Sequence, residues 1–146
     1  MAAKGMTIGR LARESGCKVP TIRYYEQIGL MPEPARTEGN QRVYAQRHAD
    51  RLAFIRHGRD LGFTLDDIRD LLRLSEHPEA PCDQADAIAR RHLDGVRQRI
   101  ARLRLLESEL ERMAGHCAGS SVAQCRVIEI LADHDKCLHD RHAAPD

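Results

Sequence analysis

Cys82, Cys117 and Cys125 are the residues of this chain best equipped for chemistry. Thiolates are soft ligands for zinc, cadmium, lead, mercury and copper(I), and they also carry redox chemistry. Seven residues, Ala118-Gly119-Ser120-Ser121-Val122-Ala123-Gln124, separate the second cysteine from the third. They are small and flexible types, so the loop can bring two sulfurs to one ion at Zn–S distances of about 2.3 Å. Three inert, buried cysteines are the plainer alternative, which their placement around one long helix argues against. Iron–sulfur ligation wants four clustered cysteines, and the loop offers two. A thiol enzyme built on Cys117 and His116 is disfavoured too. Adjacent residues seldom orient as nucleophile and base, and no orienting third group is evident. His116 is either a further nitrogen ligand or a cation on a helix end. Cys137, with His134, His139 and His142, is either a further ligand set or part of a polar tail. Cys17 reads as packing.

The elements that must position these thiols are helical. From Asp83 to Ala114 nothing breaks helix, and Ala89, Leu93, Val96, Ile100, Leu103 and Leu110 recur at alternating steps of four and three. Glu107 interrupts this stripe, while Leu106 and Met113 widen it. A coiled-coil seam results, on a helix about 48 Å long at 1.5 Å per residue. Cys82 precedes it and Cys117 follows it, so the two cannot share an ion within one chain. No second long helix is available to cover the seam, which predicts a homodimer. The expected divisions are a head at 1–75, a proline-bounded linker at 76–82 and a dimerisation helix at 83–115. A loop and short helix at 116–131 and a polar tail at 132–146 complete the chain.

The head reads as two short helices, a turn and a wing. Thr7 can cap a helix carrying Ile8, Leu11 and Ala12, and Ser15-Gly16-Cys17-Lys18 breaks it. A second helix has Pro20 in its first turn and closes at Gly29. Two such helices joined by a turn containing glycine form a helix-turn-helix. Prolines 32 and 34 then stop the chain, and Glu38-Gly39-Asn40 turns between two extended arms. Two further helices are expected, at about 48–61 and 64–74, the latter opened by Thr64 and Asp67.

Net charge is only +1, but basic residues prevail in the first sixty positions and acidic ones in the remainder. That asymmetry suits a protein offering one end to a polyanion. Aromatic residues are 3% and tryptophan is absent, which favours small helical packing units over one large core. No apolar run reaches the roughly 18–20 residues a bilayer span needs, and the first residues lack a signal-peptide core. The expectation is a cytoplasmic protein with reduced thiols and no membrane partner.

Arg23 and Tyr24 fall on the second helix of the helix-turn-helix, and Gln41, Arg42 and Tyr44 on the wing. Arginine forks suit guanine edges or phosphates, and tyrosine donates to phosphate while packing on sugar. Arg56, His57 and Arg59 add positive or titratable groups on the next helix. A merely solvated basic surface, with Tyr25 in the core, is the alternative. Met6-Thr7-Ile8-Gly9-Arg10-Leu11-Ala12, Thr21-Ile22-Arg23-Tyr24-Tyr25-Glu26-Gln27-Ile28-Gly29-Leu30, Arg42-Val43-Tyr44 and Leu61-Gly62-Phe63-Thr64-Leu65-Asp66-Asp67-Ile68 resemble, in order, the signature segments of the MerR family of transcription regulators. The resemblance spans about residues 6–131. It implies a mainly α protein, with a winged helix-turn-helix head and an antiparallel coiled-coil dimer. It further implies double-stranded promoter DNA as target, twisted so that RNA polymerase engages both promoter elements. It places Arg23, Tyr24, Gln41, Arg42, Tyr44 and Arg59 at DNA-contacting positions. Lys18 and Val19 depart from the small polar N-cap of many members.

An antiparallel pairing sets Cys82 of one protomer beside Cys117 and Cys125 of its partner. By the same resemblance, copper(I) sensors carry serine at the position of Cys82, whereas sensors of divalent soft metals keep cysteine. A dication can use a third thiolate that a monovalent ion does not need. The expected effector is zinc, cadmium or lead. Mercury is the weaker choice, since the loop is a residue shorter than in mercury sensors. A copper(I)-responsive or thiol-redox regulator is the alternative.

Overall fold

The computed structural model describes residues 5–115 and 121–137. Two compact units divide the chain, residues 1–85 and 86–146.

The first unit contains the head. Helix α1 (Ile8–Ser15) begins where the Thr7 hydroxyl accepts the Arg10 N–H at 3.2 Å, and it ends at Gly16 with φ 69°. Helix α2 (Val19–Gln27) lacks a side-chain cap at Lys18. Pro20 in its first turn offsets this by holding φ near the helical value. Gly29, at φ 73°, lets the chain turn away after the helix. Strands β1 (Ala35–Arg36) and β2 (Arg42–Val43) pair antiparallel, with Ala35 opposite Val43, and Asn40 supplies the left-handed turn residue at φ 62°. This is the expected wing. Its root is fixed by Met6, whose N–H and carbonyl exchange hydrogen bonds with Tyr44 at 2.8 and 2.9 Å.

Helix α3 (Gln46–Asp60) starts two residues earlier than the sequence suggested. The reason is a local cap: the His48 Nδ1 accepts the Ala45 N–H at 2.9 Å. Burial holds the His48 imidazole below its usual pKa, which keeps that nitrogen an acceptor. Helix α4 (Leu65–Ser75) opens with the Thr64 hydroxyl accepting the Asp67 N–H. Leu11, Ile22, Leu30, Met31, Tyr44, Leu52, Ile55 and Ile68 form the buried core that these elements share. Phe54 and Leu61, carried by the same periodic stretch as Leu52 and Ile55, stay largely exposed. Leu52 and Ile55 are three apart and share a face, which Phe54 leaves by one helical step.

Helix α5 (Asp83–Ala114) spans 32 residues, the interval expected from the unbroken pattern. Near its end the Arg112 guanidinium binds the Glu109 carboxylate and donates to the Lys136 carbonyl at 2.7 Å. Helix α6 (Arg126–Ala132) follows a short 3-10 turn at Val122–Gln124. Lys136 also pairs with Glu129 at 2.8 Å, so the segment after α6 is tied both to α6 and to the end of α5. Met113 and Ile130 are the buried apolar residues here. No described helix is long and apolar enough to cross a membrane.

Candidate functional site

Helix α2 presents Arg23 and Tyr24 outward while Ile22 and Tyr25 turn into the core. The split follows from helical spacing: residues 22 and 25 are one turn apart, and residues 23 and 24 occupy the adjoining arc. Gln41 is exposed on the wing turn, where the Thr37 hydroxyl accepts its N–H at 3.2 Å. Arg42 is half-buried. Arg59 is exposed and donates to the Phe63 carbonyl at 2.8 Å, while Arg56 donates to the Ser15 carbonyl at 2.6 Å.

Tyr44 is placed otherwise than expected. Its side chain is fully buried and its hydroxyl donates to Glu26 Oε1 at 2.5 Å. Burial first, then this bond to a carboxylate, raise its pKa well above the ordinary phenol value, so it remains a donor at any physiological pH. The sequence showed a phenol beside an arginine, but not that the backbone pairing with Met6 just after β2 leaves this side chain facing inward.

Glu26, on α2, is the residue that sequence reasoning missed. Its side chain is 8% exposed, accepts from Tyr44 and lies 3.9 Å from the Arg42 guanidinium. One carboxylate thus joins the helix carrying Arg23 to the strand carrying Arg42. Glu26 and Tyr44 are 18 positions apart, and no periodicity signals their pairing. Glu26→Ala strands a buried phenol and loosens the wing from α2. A charge-assisted hydrogen bond contributes about 1.5–3 kcal/mol, so a loss of about tenfold in operator affinity or more is expected. Glu26→Gln, which keeps an acceptor for Tyr44, should retain most binding. Titration of a labelled operator by fluorescence anisotropy reads both, and equal losses in the two variants would contradict this role.

Cys82 is exposed in the segment leading into α5. It lines a cavity of about 310 Å³ together with Phe54, Leu71, Leu74, Pro81 and Ala85. Cys125 is half-buried and occupies the position before α6, where its N–H donates to the Val122 carbonyl at 3.1 Å. Cys117 and His116 lie outside the described residues, as does His139. Cys137 is half-buried just after Lys136, and Cys17 packs against the head core as expected. Cys17, Cys82, Cys125 and Cys137 are all free thiols. Among the described residues no three His, Cys, Asp or Glu side chains gather into a metal site within one chain. The donor chemistry nevertheless fits a soft ion, with Cys82 and Cys125 on elements that adjoin opposite ends of α5.

Along α5, Leu93, Ile100, Leu103 and Leu110 are 43–60% exposed, the largest value being that of Leu110. Ile100, Leu103, Leu106, Leu110 and Ala114 line one shallow apolar groove. The stripe read from the sequence is a real surface of the single chain.

Comparison with known proteins agrees with this arrangement. Residues 6–75 match the family described as MerR HTH family regulatory protein, and residues 49–113 match the family described as MerR, DNA binding. The HTH-type transcriptional regulator ZntR of Escherichia coli is 39% identical over 127 residues, covering 85% of this chain and 90% of that protein. The heavy metal-dependent transcription regulator 2 of Rhizobium meliloti is 36% identical over 128 residues, covering 88% and 87%. Among solved structures, the transcription regulator PbrR691 from Ralstonia metallidurans in complex with lead(II) superposes with a TM-score of 0.76. It is 42% identical, with 86% of this chain and 98% of that one covered.

Proposed function

The chain belongs to the MerR family of transcription regulators, and from that membership we propose that it is a homodimeric activator switched on by a divalent soft metal. Arg23, Tyr24, Gln41, Arg42 and Arg59 contact promoter DNA in this reading, and Tyr44 supports them from within. Metal binds where Cys82 of one protomer meets Cys117 and Cys125 of the other. The bound dimer deforms the promoter spacer so that RNA polymerase engages it, and it thereby raises expression of resistance or efflux genes.

One observation carries the reading. Free thiols stand on elements at both ends of a 32-residue helix whose apolar stripe stays exposed among the described residues of the single chain. Antiparallel pairing along that stripe covers it and brings the two kinds of thiol together. The relatives support the class of effector, since one is named heavy metal-dependent and another is solved with lead(II). Within that class zinc, cadmium and lead come before mercury.

Titration of the reduced protein with zinc, cadmium, lead, mercury and copper(I), each against a competing chelator, tests the proposal. In parallel, transcription from the operator-bearing promoter is read with purified polymerase. Tight binding and induction by one or more divalent ions are expected. Binding of none, or of copper(I) alone, would overturn it.

A further inference from the structure

Two arginines outside the DNA-facing set hold the end of the recognition helix. Arg69, on α4, donates to the Ile28 carbonyl at 2.8 Å. Arg51, on α3, donates through Nε to the Leu30 carbonyl at 2.7 Å and through Nη1 to Glu76 Oε1 at 3.0 Å. Both acceptors lie just beyond α2, where a helix leaves carbonyls without partners of their own. Cations are favourable there for the same reason. Arg51 differs from Arg69 in having a second, separate partner. Glu76 closes α4 and stands six positions ahead of Cys82.

The stretch from Glu76 to Cys82 is short and locally constrained. His77 N–H bonds to the Leu74 carbonyl, and Ala80 N–H to the His77 carbonyl, at 3.0 and 2.9 Å. Pro78 and Pro81 restrict the backbone further. These constraints give a displacement at Cys82 a short path to Glu76, six positions away. The stretch also borders the cavity of about 310 Å³ lined by Phe54, Leu71 and Leu74, so it has open space to move into. A closely packed floor would resist such a shift.

We infer that Arg51 is a positioning residue that couples the Cys82 segment to the recognition helix. Its guanidinium is a strut with the Leu30 carbonyl at one end and the Glu76 carboxylate at the other. When the segment before α5 moves, Glu76 draws or releases Arg51, and the end of α2 follows. This rests on the proposal that Cys82 is a metal ligand. The strut itself is defined by geometry within the first unit.

Glu76→Gln breaks the charged end and leaves the Leu30 bond. The Glu76 side chain is 58% exposed, so folding is not at risk. Arg51→Lys keeps the charge but loses the fork that spans two partners. In both variants metal affinity and operator affinity without metal should stay within about twofold of the parent, while metal-induced transcription falls by about fivefold or more, the lower end of allosteric couplings. Charge reversal in the pair Arg51→Glu with Glu76→Arg restores the ion pair but not the Leu30 contact, and it should remain uncoupled. Parent-like induction in Glu76→Gln would overturn the strut. Equal loss of operator binding with and without metal would also overturn it, since that marks a purely structural bond. If the parent itself binds no metal, the failure belongs to the cysteine site instead.

Discussion

Cys82→Ser is expected to abolish the response to divalent metal while leaving operator binding intact. Cys82 is exposed and belongs to no buried cluster, so its replacement removes the proposed ligand without disturbing a core. Serine oxygen is a hard, protonated donor at neutral pH and a poor substitute for thiolate toward zinc, cadmium or lead. Losing a mere supporting hydrogen bond at a metal site costs about 10–100-fold in affinity, and losing a thiolate ligand should exceed that. Competition titration and promoter transcription read the two losses together. The resemblance to copper(I) sensors adds a second expectation: the serine variant should keep copper(I) affinity better than divalent affinity.

Mixed dimers separate a shared site from a site within one chain. A protomer with Cys82→Ser retains Cys117 and Cys125, and one with Cys125→Ser retains Cys82. Combined in one dimer, they rebuild a single complete site if the ligands come from both subunits. If each site lies within one chain, both sites stay broken. One metal per mixed dimer, measured after affinity purification with two different tags, is the expected result. A metal-free mixed dimer would refute the shared geometry.

The helices were legible because their boundaries are local. Thr7 and Thr64 cap through their own hydroxyls, Gly29 and Gly62 adopt positive φ, and α5 runs as far as its unbroken pattern. The apolar stripe was legible for the same reason, since its period is a property of one segment. Long-range polar pairings were not. Glu26 with Tyr44, Arg51 with Leu30 and Glu76, and Arg69 with Ile28 join residues 18 to 41 positions apart. Nothing in composition or period marks a glutamate that will be buried. Tyr44 shows the consequence: its type and neighbours suit DNA, yet just after β2 its side chain lies in the core. The thiols fall between these cases. Their spacing about α5 was readable, but the site proposed for them would depend on a second chain.

That dependence gives the other large effect, at the seam. Leu103 and Leu110 are 59% and 60% exposed on one chain and seven positions apart, two turns along the same face. Burying a leucine contributes about 1.5–3 kcal/mol, so the double variant Leu103→Glu with Leu110→Glu removes the two most exposed apolar side chains of the stripe. It also sets like charges against each other, beside the Glu107 already present. The expected product is a folded monomer, because neither leucine belongs to the head core. Operator affinity should then fall by about 10²–10⁴, the range by which joining two binding modules exceeds one. Metal affinity should fall with it if, as proposed, each site draws thiols from both protomers. Sedimentation velocity gives the oligomeric state, and the same samples serve for operator and metal titration. A variant that stays dimeric would move the interface elsewhere. A monomer that still binds divalent metal tightly would separate the dimer from the sensor and place the cysteine site within one chain.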